Sequence, residues 1–150
     1  MTNIFSGTAL LFRLSNTPQF LCANQLKQIG LAFKIWAMDN MDRFPFHVPV
    51  NQGGTWEKRA IGPDGFDTNA YLHLQAISNE MVFPDILVCP GDISRVAAVD
   101  FTNLSPQNVT YRLRTGDAVN DTNPGEVMAV CPIDGNKLYC DGSAKFGDNY

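Results

Sequence analysis

Long apolar runs, C-x-x-C cysteine pairs and a surplus of basic residues are all missing from this 150-residue chain. A membrane-spanning helix needs roughly 18 to 20 consecutive apolar residues, and the nearest candidate, residues 9–12, is cut off by Arg13. Residues 1–20 also lack a basic start and a small-x-small cleavage site, so they make a poor secretory signal. We therefore expect a soluble chain without a targeting segment.

The charge of the chain limits its partners. The net charge is −4, with acidic and basic residues interspersed along the sequence. No basic face is available to neutralise a phosphate backbone or an anionic membrane, so the sequence argues against nucleic-acid binding. The length suits one domain with a real core. We expect an N-terminal arm over residues 1–17 and a globular domain over 18–150.

A long helix is predicted after the arm, over residues 18–40. Thr17 followed by Pro18 is typical of a helix N-cap and first turn. Apolar residues then recur at helical spacing, and Leu31, Ile35 and Met38 widen the apolar stripe beyond what one packed face needs. This pattern predicts a helix with neighbours on two sides.

The rest of the chain predicts a short helix and several strands. The helix is expected over 68–81 with Asp67 as its cap, and strands are expected at 86–89, 109–114 and 126–131. Residues 137–146 predict a hairpin with a two-residue turn at Asp141-Gly142. The expected class is α+β, with the long helix packed on a small antiparallel meander.

Four landmarks in the sequence resemble one known family. They are C-x-N-x-L-K-Q-I-G over residues 22–30, D-R-F-P over 42–45, C-P-G-D over 89–92 and D-G-S over 141–143. In this order they resemble bacterial pseudopilin-like proteins, the type II secretion G-like group with a prepilin-type N-terminal cleavage and methylation segment. The resemblance covers residues 20–146 and rests mainly on the first landmark.

The resemblance implies a pilin-like fold and a structural, non-enzymatic subunit in the cell envelope, the periplasm or at the cell surface. Partners would be further copies of the chain or other pseudopilin subunits, packed through the helix. The residues expected to form that assembly helix are Leu26, Ile29, Leu31, Phe33, Ile35 and Trp36. Residues 1–19 show neither the peptidase site nor the apolar helix of the group, so membrane contact would require an anchor supplied elsewhere.

The four cysteines are candidates for two disulfides. Cys131 and Cys140 flank Gly135-Asn136, and a two-residue turn there would place them directly opposite each other. A bridge from Cys22 to Cys89 would tie the helix to the sheet. Buried free thiols are the alternative for both pairs.

No catalytic, cofactor or metal site is predicted. A nucleophilic cysteine needs a histidine base, and His47 and His73 have no diagnostic partner, so they are expected in the core or on the surface. Aspartates are frequent in the predicted loops, where turn formation explains them better than calcium, the alternative ligand. They are Asp117, Asp121, Asp134, Asp141 and Asp148.

An alternative function is a soluble envelope module that binds a glycan or a protein through the loop over residues 49–67. Trp56 in this loop would supply a large amphipathic contact. A filament subunit should expose apolar residues on the helix, whereas a binding module should bury them and display Trp56. Trp36, Phe33, Phe44 and Phe46 are expected in the core, with an exposed partner patch as the alternative.

Overall fold

The computed structural model describes residues 17–147. They form an α+β domain, which confirms the expected class. The elements are α1 (Pro18–Met38), α2 (Ala70–Ala76), β1 (Arg112–Leu113), β2 (Val127–Val130), β3 (Lys137–Tyr139) and β4 (Ala144–Lys145). The strands form one antiparallel sheet in the order β1-β2-β3-β4. Of the expected arm, all but Thr17 lies outside the described residues.

Helix α1 begins where the sequence predicts and ends two residues earlier. The Thr17 side chain accepts a hydrogen bond from the Phe20 amide at 3.2 Å, and Pro18 occupies the first turn. The chain then turns sharply after Met38, since Met41 and Asp42 both adopt positive φ angles. Across its buried face, α1 contacts the β3–β4 hairpin and the 3-10 turns at Ser78–Glu80 and Pro84–Leu87.

Gly30 lets α1 approach the sheet closely. A Cβ atom at this position would lie 2.7 Å from Leu138 Cδ1 and 3.1 Å from the Cα atom of Gly142. Gly142 itself has a φ of 88° in the turn between β3 and β4. The hairpin is confirmed at this position, but its loop has three residues, 140–142, rather than the predicted two, because Tyr139 lies opposite Ser143. The turn brings two of the four sequence landmarks into contact.

Three phenylalanines form an aromatic cluster at the C-terminal end of α1. Phe33, Phe44 and Phe46 are at most 1% exposed, and their ring centroids lie 5.7 to 5.9 Å apart. Two of the three pairs meet edge to face, a favoured geometry. Trp36 packs against this core while partly exposed. The core interpretation of these aromatic residues is confirmed.

Three predicted elements differ in the structure. The strand expected over 109–114 is limited to Arg112–Leu113. Residues 86–89 do not form a strand: Pro84–Leu87 is a 3-10 turn that begins at proline, which presets the first φ angle. The second helix is limited to Ala70–Ala76 and follows Asn69 rather than Asp67. The Asp67 carboxylate is held in a buried polar cluster instead, described below.

No helix within residues 17–147 is both long and apolar enough to cross a membrane.

Candidate metal centre

Four buried side chains from distant parts of the chain meet beside the first turns of α1. They are Cys22, Cys89, Cys131 and Asp134, each at most 4% exposed. One ligand atom from each lies within 4.8 Å of all the others. Asp134 Oδ1 is 3.5 Å from Cys22 Sγ, and Asp134 Oδ2 is 3.7 Å from Cys89 Sγ. We call this group the Cys3Asp cluster.

Cys89 is held by the tight turn of the C-P-G-D landmark. The Asp92 amide donates to the Cys89 carbonyl at 2.9 Å, and the Cys89 amide donates to Thr110 Oγ1 at 3.0 Å. The Thr110 hydroxyl in turn donates to Asp92 Oδ2 at 2.8 Å. Asp92 therefore fixes the turn, and only the cysteine points into the cluster.

Cys131 and Asp134 enter the cluster from one turn between β2 and β3. The Gly135 amide donates to the Cys131 carbonyl at 2.9 Å, and Gly135 adopts a φ of 79°. The Asn136 amide donates to Asp134 Oδ1 at 3.0 Å, and the backbone amides of Ile133 and Asp134 face the Cys131 sulfur. The turn therefore directs amide donors at both ligand-type side chains.

Asn136 connects this turn to α1. Its side-chain amide donates to the Gln19 carbonyl at 2.8 Å, and its Oδ1 accepts from the Gly147 amide at 3.0 Å. Because Gln19 lies one turn before Cys22, these bonds fix the position of the helix relative to the cluster. Asn136 is itself fully buried.

Within the cluster, the pKa of Cys89 is lowered, whereas the pKa values of Cys22 and Cys131 are raised. Hydrogen bonds from the Cys131 and Cys22 thiols lower the pKa of Cys89 to about 4, while contacts with Cys131 and Cys89 raise the pKa of Cys22. Burial raises the pKa of Asp134. Within residues 17–147 no ion pair involves Asp134. Three thiols and a carboxylate therefore lie together in the core, and among residues 17–147 no positively charged side chain forms an ion pair with the carboxylate.

This donor set could hold a metal ion, which the sequence analysis did not predict. The chain has no C-x-x-C pair, but Cys131-x-x-Asp134 has the same spacing with a carboxylate in the second position. The other two ligands are 42 and 109 residues before Cys131, and no local pattern connects them. Only the fold brings them together.

The structure keeps all four cysteines as free thiols. The register predicted for Cys131 and Cys140 is wrong, because Val130 faces Lys137 and Val127 faces Tyr139, with an irregularity between them. Cys131 therefore lies opposite Asn136, and Cys140 lies at the other end of the hairpin, where its amide donates to the Glu126 carbonyl. Burial raises the pKa of Cys140 to about 11. Cys22 and Cys89 are neighbours, as predicted, but share the cluster with Cys131.

The assembly-helix residues divide between the core and the surface. Leu26, Ile29 and Phe33 are at most 1% exposed, whereas Leu31 is 60% exposed. Ile35 and Trp36 are half-buried. Trp56 is 48% exposed, and the Arg59 guanidinium lies 5.1 Å from its ring centroid. The structure therefore has both the exposed apolar helix residue expected of a filament subunit and the exposed Trp56 expected of a binding module.

His73 belongs to a second buried cluster, with Asp67, Thr55 and Thr115, which we call the His73 cluster. Its Nε2 lies 2.9 Å from Asp67 Oδ2 and its Nδ1 lies 2.6 Å from Thr55 Oγ1. A carboxylate only accepts hydrogen bonds, so Nε2 carries a proton. All four side chains are at most 4% exposed, so the Thr55 hydroxyl is closed to substrate. His47 is half-buried against Phe46.

The aspartates considered for calcium are dispersed. Asp121 pairs with Lys34, Asp117 lies 3.7 Å from Arg59, and Asp141 accepts from Ser143. Asp134 is in the Cys3Asp cluster, and Asp148 lies outside the described residues. In the described part of the chain, the Cys3Asp cluster is the one group of three or more potential metal ligands.

Comparison with family models, curated proteins and solved structures returns no match for this chain.

Proposed function

We propose that this chain is a structural, non-enzymatic subunit of a pseudopilin or type IV pilin-like assembly of the kind associated with type II protein secretion. The observation that carries the proposal is the division of apolar residues on α1. Leu26, Ile29 and Phe33 fill the core of the domain, whereas Leu31 and Met38 are 60% and 75% exposed. Leu31 and Met38 lie two turns apart on the same side of a helix whose other side packs on the core, which suits contact with another subunit.

The contacts between the sequence landmarks also support the proposal. The C-x-N-x-L-K-Q-I-G segment meets the C-P-G-D turn through Cys22 and Cys89, and it meets the D-G-S hairpin through Gly30 and Gly142. Segments far apart in the sequence thus form one packed unit around α1. Their shared order and their contacts are what a family of similarly folded subunits would preserve.

The proposal is tested by the oligomeric state of the full chain, measured by light scattering over a range of concentrations. We expect species larger than the monomer that grow with concentration, since helix-to-helix packing of this kind is heterologous and open-ended. The double variant Leu31→Asp, Met38→Asp should remain a monomer.

Val99→Asp is the matched control, because Val99 is also apolar and is 99% exposed, but it lies outside α1. This variant should assemble like the wild type. A wild-type chain that stays monomeric at all concentrations, or a control variant that loses assembly equally, would contradict the proposal.

A second candidate is the envelope binding module, favoured by the display of Trp56. The ring is 48% exposed, and the surrounding loop is braced by the bridge between Ile61 and Asp67. In a Trp36→Phe background, Trp56 is the sole tryptophan, and its fluorescence reports binding directly. Saturable shifts on titration with neutral oligosaccharides, lost in Trp56→Ala, would support this candidate over assembly.

A further inference from the structure

We propose that Cys22, Cys89, Cys131 and Asp134 bind one Zn²⁺ ion as a structural centre. The inference does not rest on the proposed assembly function, because it concerns only how this domain is held together.

The spacing of the ligand atoms suits a single tetrahedral ion. Zinc–sulfur bonds of about 2.3 Å and zinc–oxygen bonds of about 2.0 to 2.2 Å place neighbouring ligand atoms roughly 3.6 to 3.8 Å apart. Asp134 Oδ1 lies 3.5 Å from the Cys22 sulfur, and the other carboxylate oxygen, Oδ2, lies 3.7 Å from the Cys89 sulfur. All four ligand atoms fall within 4.8 Å of one another. A multi-atom iron–sulfur cluster would hold the sulfurs further apart.

The composition of the cluster also argues for an ion rather than a disulfide. A Cys22–Cys89 bridge would use two thiols and leave Cys131 beside a buried carboxylate. That carboxylate has no ion-pair partner among the described residues, and its recorded backbone donor is the Asn136 amide. A divalent cation supplies the missing positive charge and engages all four side chains, whereas an uncompensated buried carboxylate is costly.

The turn from Cys131 to Asp134 has the form of a metal-binding turn. Two ligands are separated by two residues, and Gly135 follows in the left-handed region. In the same turn the Gly135 amide donates to the Cys131 carbonyl at 2.9 Å and the Asn136 amide donates to Asp134 Oδ1 at 3.0 Å, so backbone hydrogen bonds fix both residues. This arrangement is independent of the ligand-atom distances and points to the same chemistry.

The ligand set favours zinc over calcium and magnesium. Calcium and magnesium prefer oxygen donors, and three sulfurs exclude them. Four protein ligands complete a tetrahedral shell, and every ligand is at most 4% exposed, so no position is open to substrate. The centre is therefore structural. It joins the start of α1 to the Cys89 turn and to the end of β2.

The experiment measures metal content in the full-length protein purified under reducing conditions. We expect about one zinc per chain. Replacement with Co²⁺ should give the thiolate charge-transfer bands and intense visible bands of tetrahedral coordination. Removal of zinc by a strong chelator should lower the melting temperature by roughly 5 to 10 °C, and added zinc should restore it.

Variants identify the ligands. Cys22→Ser, Cys131→Ser and Asp134→Asn should each lose zinc, whereas the control Cys140→Ser removes a buried thiol outside the cluster and should keep it. Asp134→Cys retains four ligands, so it should still fold and bind zinc, with stronger Co²⁺ charge-transfer absorption. This last variant tests the site even where the others fail to fold.

Several results would overturn the assignment. They are a metal-free protein that does not take up zinc or Co²⁺, a Cys22–Cys89 disulfide found by mass spectrometry, iron in place of zinc, zinc retained by Cys22→Ser, and zinc lost from Cys140→Ser or Asp134→Cys. Oligomeric state has no bearing on any of these results, so the zinc proposal and the assembly proposal fail separately.

Discussion

The domain contains two buried polar clusters that differ in how their charge is balanced. In the His73 cluster, Asp67 accepts hydrogen bonds from His73, from Thr115 at 2.6 Å and from the amides of Ala60 and Asn69 at 3.1 and 2.7 Å. In the Cys3Asp cluster, Asp134 faces three thiols and accepts a hydrogen bond from the Asn136 amide. The first carboxylate has four protein donors, whereas the second has no ion-pair partner among the described residues.

The difference shows two physical solutions to the same problem. Burying a carboxylate is favourable only when donors or counter-charges replace the lost water. The His73 cluster obtains these donors from a loop, a helix and the segment after β1. The Cys3Asp cluster obtains three soft ligands instead, which suit a metal. The contribution of the His73 cluster to stability should therefore change with pH and with substitution of its side chains. The contribution of the Cys3Asp cluster should change with removal of the metal.

The largest effect is expected from breaking the His73 cluster. Asp67→Ala removes the common acceptor and leaves His73 and Thr115 with buried, unpaired donors, so we expect a loss of about 3 to 5 kcal/mol in the free energy of unfolding. The measurement is denaturant unfolding of the zinc-supplemented protein. Thr115→Val, a milder change, should cost about 1 to 2 kcal/mol.

The control is Asp64→Asn, since the Asp64 side chain is half-exposed and its pairing with Arg112 is at the surface. This variant should differ from wild type by less than about 1 kcal/mol. If Asp67→Ala is no more destabilising than the control, the His73 cluster does not stabilise the fold as described.

The next effect concerns the metal. Chelation should reduce the free energy of unfolding by about 3 kcal/mol when free zinc would otherwise exceed the dissociation constant about 100-fold. Asp67→Asn and Thr115→Val should show the same chelator sensitivity, because the two clusters share no side chain. Equal stability with and without chelator would remove the contrast between the clusters.

A third prediction concerns acid. Burial by itself would raise the pKa of Asp67, but hydrogen bonds from His73, Thr115 and Asn69 outweigh it and lower the pKa to about 2, from an ordinary value of 3.8. The carboxylate therefore stabilises the fold fully above about pH 4, and this contribution, about 2 kcal/mol, is lost as the pH falls from about 4 to about 2.

Unfolding is measured across this range with chelator present throughout, so that acid release of zinc does not contribute. Asp67→Asn should lack the dependence, because it has no carboxyl to titrate. An identical acid profile in wild type and Asp67→Asn would assign the transition to other groups.

Gly30→Ala tests packing away from both clusters. The added Cβ would lie 2.7 Å from Leu138 Cδ1 and about 3.1 Å from the backbone at Gly142, so α1 or the hairpin must shift. We expect a loss of about 1 to 3 kcal/mol by denaturant unfolding. Zinc content and the acid profile should stay as in the wild type, and a loss of zinc would mean that the position of α1 also sets the metal site.

The smallest effect is expected at Thr110, which supports Cys89 without being a ligand. Thr110→Val removes the acceptor of the Cys89 amide and the donor to Asp92, at a cost of about 1 kcal/mol. Because outer-shell partners orient ligands, zinc affinity should fall roughly 10- to 100-fold, measured by competition with a chromophoric chelator. An unchanged zinc affinity in Thr110→Val would mean that Thr110 stabilises the Cys89 turn but does not orient the metal ligand.

Local patterns in the sequence were sufficient for several elements. Thr17-Pro18 and the following apolar spacing predicted the start and face of α1, and Asp141-Gly142 predicted the last hairpin. Both signals act over a few residues, through a cap and through a positive φ angle. The strand predicted at residues 86–89 was wrong because a short apolar run fits a strand and a buried turn equally well, and Pro84 favours the turn.

What the sequence determined by itself is therefore local: the helix from Pro18, the hairpin turn at Gly142, and the segregation of apolar residues into a core. The tertiary structure alone decided the register that separates Cys131 from Cys140, the partners of Asp67, and the meeting of Cys22 and Cys89 with the Cys131–Asp134 turn. The physical reason is range. Caps and turns depend on neighbouring residues, whereas a buried cluster depends on the packing of segments that the sequence holds far apart.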